Sequence, residues 1–410
     1  MMLIQLILSL IISPLTYSDS SNWAVIIAGS NTWVNYRHQA DVSHMYQILK
    51  NKGAYDPNKI ITMMYNDIAY NEENPYPGEI YNSPYSSNVY KNIKIDYQGN
   101  NVTAVNFLNV LKGNKTIPNF KVLESNSEDN IFIYYSNHGA TGLVGMPYGP
   151  PLYADDLIDT LNYMYQYNMY NQLIFYLEAC ESGSIFDGIL DPSIKIYAVT
   201  ASTPTESSYA FYYNDTLNTY MADEFSIRFM QDTSVLWLFD NTLLMQYKEA
   251  KKIMTLSTPQ QYGDLNFTNE NIKDFQAYEY KNENKNNNKN LKLLYNNFIK
   301  NTYIQKNVID NRDVKLSILQ KKYKKWPTEK NKMLMQKEIN DRNKVDIYFT
   351  KLVKYIFNDI NMGYIMNYNF KGKINFDCLR DLYNLYNLLY KFSDYSLKYV
   401  RIFVYLCLKK

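Results

Sequence analysis

At 410 residues the chain is longer than one hydrophobic core ordinarily serves, so a large domain and a smaller one are expected. A composition of 46% hydrophobic and 20% charged residues excludes a disordered or fibrous protein, while a net charge of +2 argues neither for nor against nucleic acid. The 42 tyrosines, with abundant Asn and Lys, fit codon bias in an AT-rich genome and carry no functional reading.

In chain order, Met1 to Pro14 reads as the apolar core of a signal peptide, with Ser18 as a cleavage position. The run is too short to remain across a bilayer. Four Asn-x-Ser/Thr sequons, at Asn101, Asn114, Asn214 and Asn266, fit a secretory route as glycosylation positions. An exported chain with 3 cysteines leaves one unpaired. Cys378 and Cys407 could close a local loop, and Cys180 would then be the free, reactive thiol.

Trp23–Ala28 is a buried strand ending at Gly29, and Val42, Met45, Ile48 and Leu49 predict a helix stopped by Gly53. Residues 60–65 form the next strand. Thr103 caps a helix through Phe107, Leu108 and Leu111. A strand over 131–135 runs into Ser136-Asn-His-Gly139, and a helix starts near Asp155 and Asp156, whose carboxylates suit its N-terminus. The apolar run 173–177 ends in Glu178-Ala-Cys-Glu-Ser-Gly-Ser184, and residues 195–199 give one more strand. Strands alternating with helices predict a doubly wound α/β sheet. Residues 220–255 read as helical. The Asn/Lys-rich stretch 281–290 has nothing to bury and reads as a protease-accessible linker. Beyond about Asp313 the pattern is helical without strand signals. The expected division is a signal peptide over 1–18, a peptidase domain over 19–278, a linker and activation region over 279–312 and a helical domain over 313–410.

His138 and Cys180 lie at matching positions just past the carboxyl ends of two apolar strands, the edge where open α/β sheets bind ligands. An imidazole beside a thiol lowers the thiol's pKa and later protonates a leaving amine, so this pair reads as base and nucleophile. Backbone amides at Gly139 and Cys180 would serve a developing oxyanion. Singly, a buried cysteine or a loop histidine is better explained structurally; jointly, at equivalent strand ends, catalysis is the better account. His44, six residues from His38, has no ligand partners at metal spacing, and no metal or cofactor is expected. Lys321–Lys325 reads as a solvated helix face, or as a surface docking onto an acidic rim.

Several segments together resemble the legumain family of asparaginyl endopeptidases, caspase-like cysteine proteases of clan CD. They are Asn35-Tyr-Arg-His-Gln-Ala-Asp41, Met63–Tyr70 with Asn74-Pro, His138-Gly139, Glu178–Ser184, Glu206-Ser-Ser-Tyr209 and Gln261-Tyr-Gly263. The resemblance runs from about Asn22 to Gln276 and weakens beyond. It implies a caspase-like, mostly parallel sheet flanked by helices and a C-terminal all-helical prodomain. It also implies Asn35 as third catalytic member and an Asn-specific S1 pocket of Arg37, His38, Glu178, Ser207 and Asp223. Such a set can meet the carbonyl of an asparagine side chain with Arg37 and its NH₂ with carboxylates. The implied activity is cleavage after Asn, and after Asp at lower pH, by a zymogen whose own C-terminal domain is its inhibitor. Implied partners are proteins with exposed Asn and cystatin-type inhibitors. The implied location is a lysosome, vacuole or digestive vesicle, or the secreted pool.

The chain departs from that family where Asn137 stands in place of the Asp that can form a ligase-associated succinimide. It also keeps one pair of C-terminal cysteines where the family has two disulfides. The activating Asn before the helical domain has no counterpart at Lys325-Trp326, so self-cleavage within Asn282–Asn290 is the expected substitute. Rival readings are a glycosylphosphatidylinositol transamidase-like subunit, disfavoured by the flanks of Cys180, and a catalytically silent homologue, disfavoured by intact Asn35, His138 and Cys180.

Overall fold

The structure, a computed structural model, describes residues 22–51, 55–115, 120–236, 241–276, 308–358, 360–371 and 374–408. The signal segment, Gly53 and the Asn282–Asn290 linker lie outside these residues. Apolar runs of β-branched and aromatic residues form β1 (Asn22–Ala28), β2 (Ile60–Met63), β3 (Asn130–Ser136), β7 (Gln172–Glu178) and β8 (Ile196–Thr200). With β11 (Gln260–Gly263) they build a six-stranded sheet in the order β11-β8-β7-β3-β1-β2, in which only β11 runs antiparallel to its neighbour. The expected mostly parallel sheet is present.

Alternate residues of each strand feed opposite faces, which is why the strands read as unbroken apolar runs. Val25, Ile133 and Phe175 pack with Phe107, Leu111, Leu157 and Leu161 from α2 (Ala104–Leu111) and α3 (Ala154–Gln166). Ile26, Phe132 and Ile174 pack on the other face with Val42 and Met45 of α1 (Tyr36–Asn51), Phe225 and Phe229 of α4 (Glu224–Leu236), Leu243 of α5 (Leu243–Ile253) and Phe275 of α6 (Lys273–Gln276). Thr103 caps α2 by accepting from the Asn106 N–H, as its position predicts.

Within 220–255 the helical reading holds for α4 and α5. It misses a separate three-stranded sheet: β9 (Tyr209–Asn214) between β10 (Thr219–Asp223) and β12 (Ile309–Asp310). A third small sheet joins β4 (Gly139–Ala140), β5 (Leu143–Val144) and β6 (Leu152–Tyr153) directly after His138.

After β12 the chain is helical: α7 (Val314–Lys325), α8 (Glu329–Phe357), α9 (Met362–Asn367), α10 (Phe376–Leu389) and α11 (Val400–Leu406). A disulfide joins Cys378 of α10 to Cys407 just beyond α11. Phe349, Leu379, Tyr386, Val400 and Phe403 make a separate core, and this core continues onto Ala140, Leu143 and Tyr153 of the small sheet. Arg380 extends that contact, reaching Asp155 at 2.7 Å and Asp156 at 2.9 Å. At the other end Val314 and Ile318 of α7 cover Ala210 and Tyr220. The helical region thus lies over the carboxyl edge of the main sheet from two sides.

Candidate active site

Parallel pairing of β3 with β7 aligns Ser136 with Glu178, so His138 and Cys180, each two residues on, leave the sheet at equivalent places. The Asn137 N–H donates to the Glu178 carbonyl at 3.0 Å and prolongs the ladder past the strand ends. Gly139 rests against the next turn, where an added Cβ would lie 2.3 Å from the Cys180 carbonyl oxygen, which is why no larger residue fits there. Glu181 takes a left-handed φ of 53°, turning the chain sharply behind the thiol into the single turn Ser182–Ile185.

Asn35, the last residue of the short turn Trp33–Asn35 just before α1, accepts from His138 Nε2 at 2.7 Å, and its own amide is anchored on the Asn31 carbonyl at 3.1 Å. An amide oxygen only accepts, so Nε2 carries the proton and Nδ1 keeps the lone pair. Nδ1 is buried and free of any hydrogen-bond partner. The Cys180 sulfur accepts from the Ser208 N–H at 3.3 Å, and no hydrogen bond joins it to His138 among the described residues. Burial pushes the thiol up to about 11, with Arg312 pulling the other way. In this arrangement the sulfur is a thiol, not a thiolate.

The residues proposed for the specificity pocket converge beneath these two. Arg37 Nε donates at 2.9 Å to Asp223 Oδ1, both groups fully buried. His38 binds Ser30 Oγ at 2.6 Å through Nδ1, and its ring meets that of His138 edge-on at 4.9 Å. Glu178 accepts from the N–H and hydroxyl of Ser226, leaving one carboxylate oxygen buried without a partner. Asp41 accepts from Asn82 at 2.6 Å and from the Asp223 N–H at 3.1 Å. Burial raises the carboxyls of Asp41, Glu178 and Asp223, in the first two well above the usual range. Asp41 and Ser208 belong to this cluster, and sequence reasoning did not assign them a role.

The pocket is filled by the chain itself. β12 pairs antiparallel with β9, with Ile309 opposite Ala210 and Asp310 opposite Tyr209. The next residue, Asn311, donates its N–H to the Ser208 carbonyl at 3.0 Å. Its side-chain oxygen accepts from Arg37 Nε at 2.9 Å and its amide nitrogen donates to Ser208 Oγ at 2.7 Å. Ser207 does not reach this amide; its hydroxyl instead accepts from Arg312 at 3.0 Å. Arg312 and Arg401 flank the buried Glu181 at 3.3 and 3.9 Å, and Arg401 also binds Thr141 Oγ1 at 2.8 Å. From the helical side, the Asp394 carboxylate stands 3.4 Å from His138 Nε2.

The basic run of α7 does reach the sheet region, but not the acidic pocket. Lys325 donates to the Asp215 carbonyl at 2.9 Å, and Lys321 lies over the Tyr213 ring. Of the sequon asparagines, Asn101, Asn114 and Asn266 are exposed and Asn214 is half-buried. Among the described residues no cluster of His, Cys, Asp and Glu could hold a metal, and no helix is long and apolar enough to cross a membrane.

Burial lowers His138 to about 4, with Asp394 opposing the shift and Arg37 and Arg312 adding to it. An imidazole ordinarily titrating near 6.5 therefore contributes stability at neutral pH that is lost as pH falls from about 6.5 towards 4. The loss is about 3 kcal/mol. The raised carboxyls act with the opposite sign, so the native chain alone does not isolate the effect. In urea titrations at pH 7 and pH 4, His138→Gln should lose about 2–3 kcal/mol less on acidification than the native chain. Equal losses would place the acid-sensitive group elsewhere.

The sequence carries the same signature. The Peptidase C13 family profile matches residues 22–278. The chain is 44% identical to human legumain over 264 residues, 63% of this chain and 60% of that protein. It is 45% identical to the hemoglobinase of Schistosoma mansoni over 267 residues, 65% of this chain and 62% of that one. These matches span only about 60% of the relatives' own length. The vacuolar-processing enzyme delta-isozyme of Arabidopsis thaliana matches at 36% identity over 95% of this chain and 87% of its own. Among solved structures, caspase-1 of Spodoptera frugiperda aligns with a TM-score of 0.36 and 9% identity, covering 60% of this chain and 86% of that one. With a strand-end Cys and His over a buried Arg–carboxylate pocket, and a profile match across the whole sheet region, the chain belongs to the Peptidase C13 family.

Proposed function

We propose that the chain is a cysteine endopeptidase that hydrolyses peptide bonds after Asn, and after Asp at lower pH, and that the described structure is its zymogen. The observation that carries this reading is Asn311. Its backbone extends the edge of β9 as a substrate would, and its side-chain amide has its acceptor met by Arg37 and a donor met by Ser208. A pocket satisfying both ends of a carboxamide discriminates against side chains that present only one kind of group.

In this reading Cys180 is the nucleophile and His138 Nδ1 its base, oriented by Asn35. The base takes the thiol proton, the sulfur attacks the carbonyl carbon, and the N–H groups of Gly139 and Cys180 receive the oxyanion. The imidazolium then protonates the leaving amine, and water attacks the thioester with His138 again as base. An Asp side chain resembles Asn only when protonated, which confines its cleavage to acid. Residues 313–410 act as the inhibitory domain. Residues 309–312 fill the cleft, while burial of the dyad keeps its proton on sulfur and its base uncharged. Secretory delivery to an acidic vesicle, protein substrates with exposed Asn and inhibition by cystatin-type proteins complete the proposal. The transamidase-like and silent alternatives are not favoured, because the relatives matched include legumains, hemoglobinases and a vacuolar-processing enzyme.

The test is hydrolysis of fluorogenic Ala-Ala-Asn and Ala-Ala-Lys peptides by protein incubated at pH 4, with and without prior thiol alkylation. Cleavage of the first alone, abolished by alkylation, is expected. Cleavage of neither by protein whose 311–312 bond has been opened would refute the assignment.

A further inference from the structure

Asn137 stands between the last strand residue and His138, and its side chain is wedged where two glycines make room. A Cβ on Gly29 would lie 2.3 Å, and one on Gly145 2.8 Å, from its amide nitrogen. That nitrogen donates to the Gly29 carbonyl at 2.6 Å, with Asn137 only 1% exposed. The Gly29 N–H in turn donates to the Ser136 carbonyl at 3.0 Å. The two bonds close a loop between the carboxyl ends of β1 and β3. Immediately after Gly29 come Ser30, which holds His38, and Asn31, which anchors the amide of Asn35. The Asn137 amide therefore joins the histidine turn to the segment that supports its orienting partner.

We propose that Asn137 is a positioning residue whose amide clamps the His138 turn to the Gly29–Asn31 segment, and that this clamp holds the site in shape up to neutral pH because it needs no titratable proton. The inference rests on His138 acting as the catalytic base. A carboxyl in the same place would donate to the Gly29 carbonyl only while protonated; ionised, it would set two acceptors against each other in a buried space. The groups facing the position would not rescue the ionised form. Tyr135, whose hydroxyl also lies within hydrogen-bond reach of the Asn137 side chain, gives its proton to the Gly145 carbonyl at 2.5 Å. The neighbouring pocket between the two halves of the chain, about 180 Å³, offers His138, Tyr383 and Asp394 but no Lys or Arg.

The experiment compares native chain, Asn137→Asp and Asn137→Ala. After acid activation, kcat/KM on the Asn peptide is measured from pH 4 to 7 and each variant is divided by native at the same pH. For Asn137→Asp the ratio should be highest at pH 4 and fall at least tenfold by pH 7. For Asn137→Ala, which lacks the donor at every pH, the ratio should be reduced and flat. Melts of the uncleaved chain give the same comparison without turnover: the Tm deficit of Asn137→Asp should widen as pH rises. A flat ratio and a constant deficit for Asn137→Asp, or failure of that variant to fold even at pH 4, would overturn the clamp. If the native enzyme cleaved no Asn peptide, the functional reading would fall while the melts still judged the clamp.

Discussion

Arg37→Leu is expected to lower kcat/KM on Asn peptides by about 10³-fold or more, because the substrate carbonyl would lose the donor now given to Asn311. The substitution also strands Asp223, fully buried and paired with that guanidinium. Removing one member of a buried pair costs about 3–5 kcal/mol, so a lower melting temperature should accompany the kinetic loss. Arg37→Lys separates the two effects. A compact ammonium would restore charge for Asp223 but not the planar fork, so most of the stability should return and little of the activity. Wild-type kcat/KM in a folded Arg37→Leu variant would remove Arg37 from substrate recognition.

Asn311→Ala is expected to abolish cleavage of the 311–312 bond. In the native chain at pH 4, intact-mass measurement should find a fragment ending at Asn311. In the variant that fragment should be absent and activity should appear at least about 10²-fold more slowly, in keeping with the discrimination a polar pocket exerts against a side chain lacking its hydrogen-bonding groups. The same change leaves Arg37 and Ser208 short of partners, at a cost of about 1–3 kcal/mol. This prediction competes with the linker expectation. If maturation runs through Asn282–Asn290, Asn311→Ala will mature at the native rate, and Asn→Gln substitutions across that linker will slow it.

The strands carrying His138 and Cys180 were legible because a parallel strand covered on both faces must be apolar throughout, and the polar break after it marks the carboxyl edge. Equal spacing from those breaks was enough to align the two residues, and the register of β3 with β7 bears this out. Asn311 was not legible. In so Asn-rich a chain nothing local distinguishes it, and its position follows from pairing with β9 across about a hundred intervening residues. β9 and β10 were missed for a related reason. Tyr209–Asn214 and Thr219–Asp223 mix aromatic and polar residues without clear alternation, and their burial comes from α1, α7 and the Tyr36 cluster rather than from the main sheet. The Asn311 amide meets Ser208 while the neighbouring Ser207 meets Arg312, since adjacent residues of an extended segment point to opposite sides.

On the proposed function, pairing of β12 along β9 also determines which asparagines the activated chain would meet. Once 309–311 leaves, β9 keeps β10 on one side and has its other edge free for an extended backbone, since only that conformation offers groups in ladder register. An asparagine within a helix has its N–H and carbonyl already engaged and its flanks coiled at 1.5 Å per residue. Such a bond is invisible until its surroundings unravel. Accessible loops would be cut first and helical asparagines only after local unfolding, so the order of fragments from a folded substrate would chart that substrate's weakest regions.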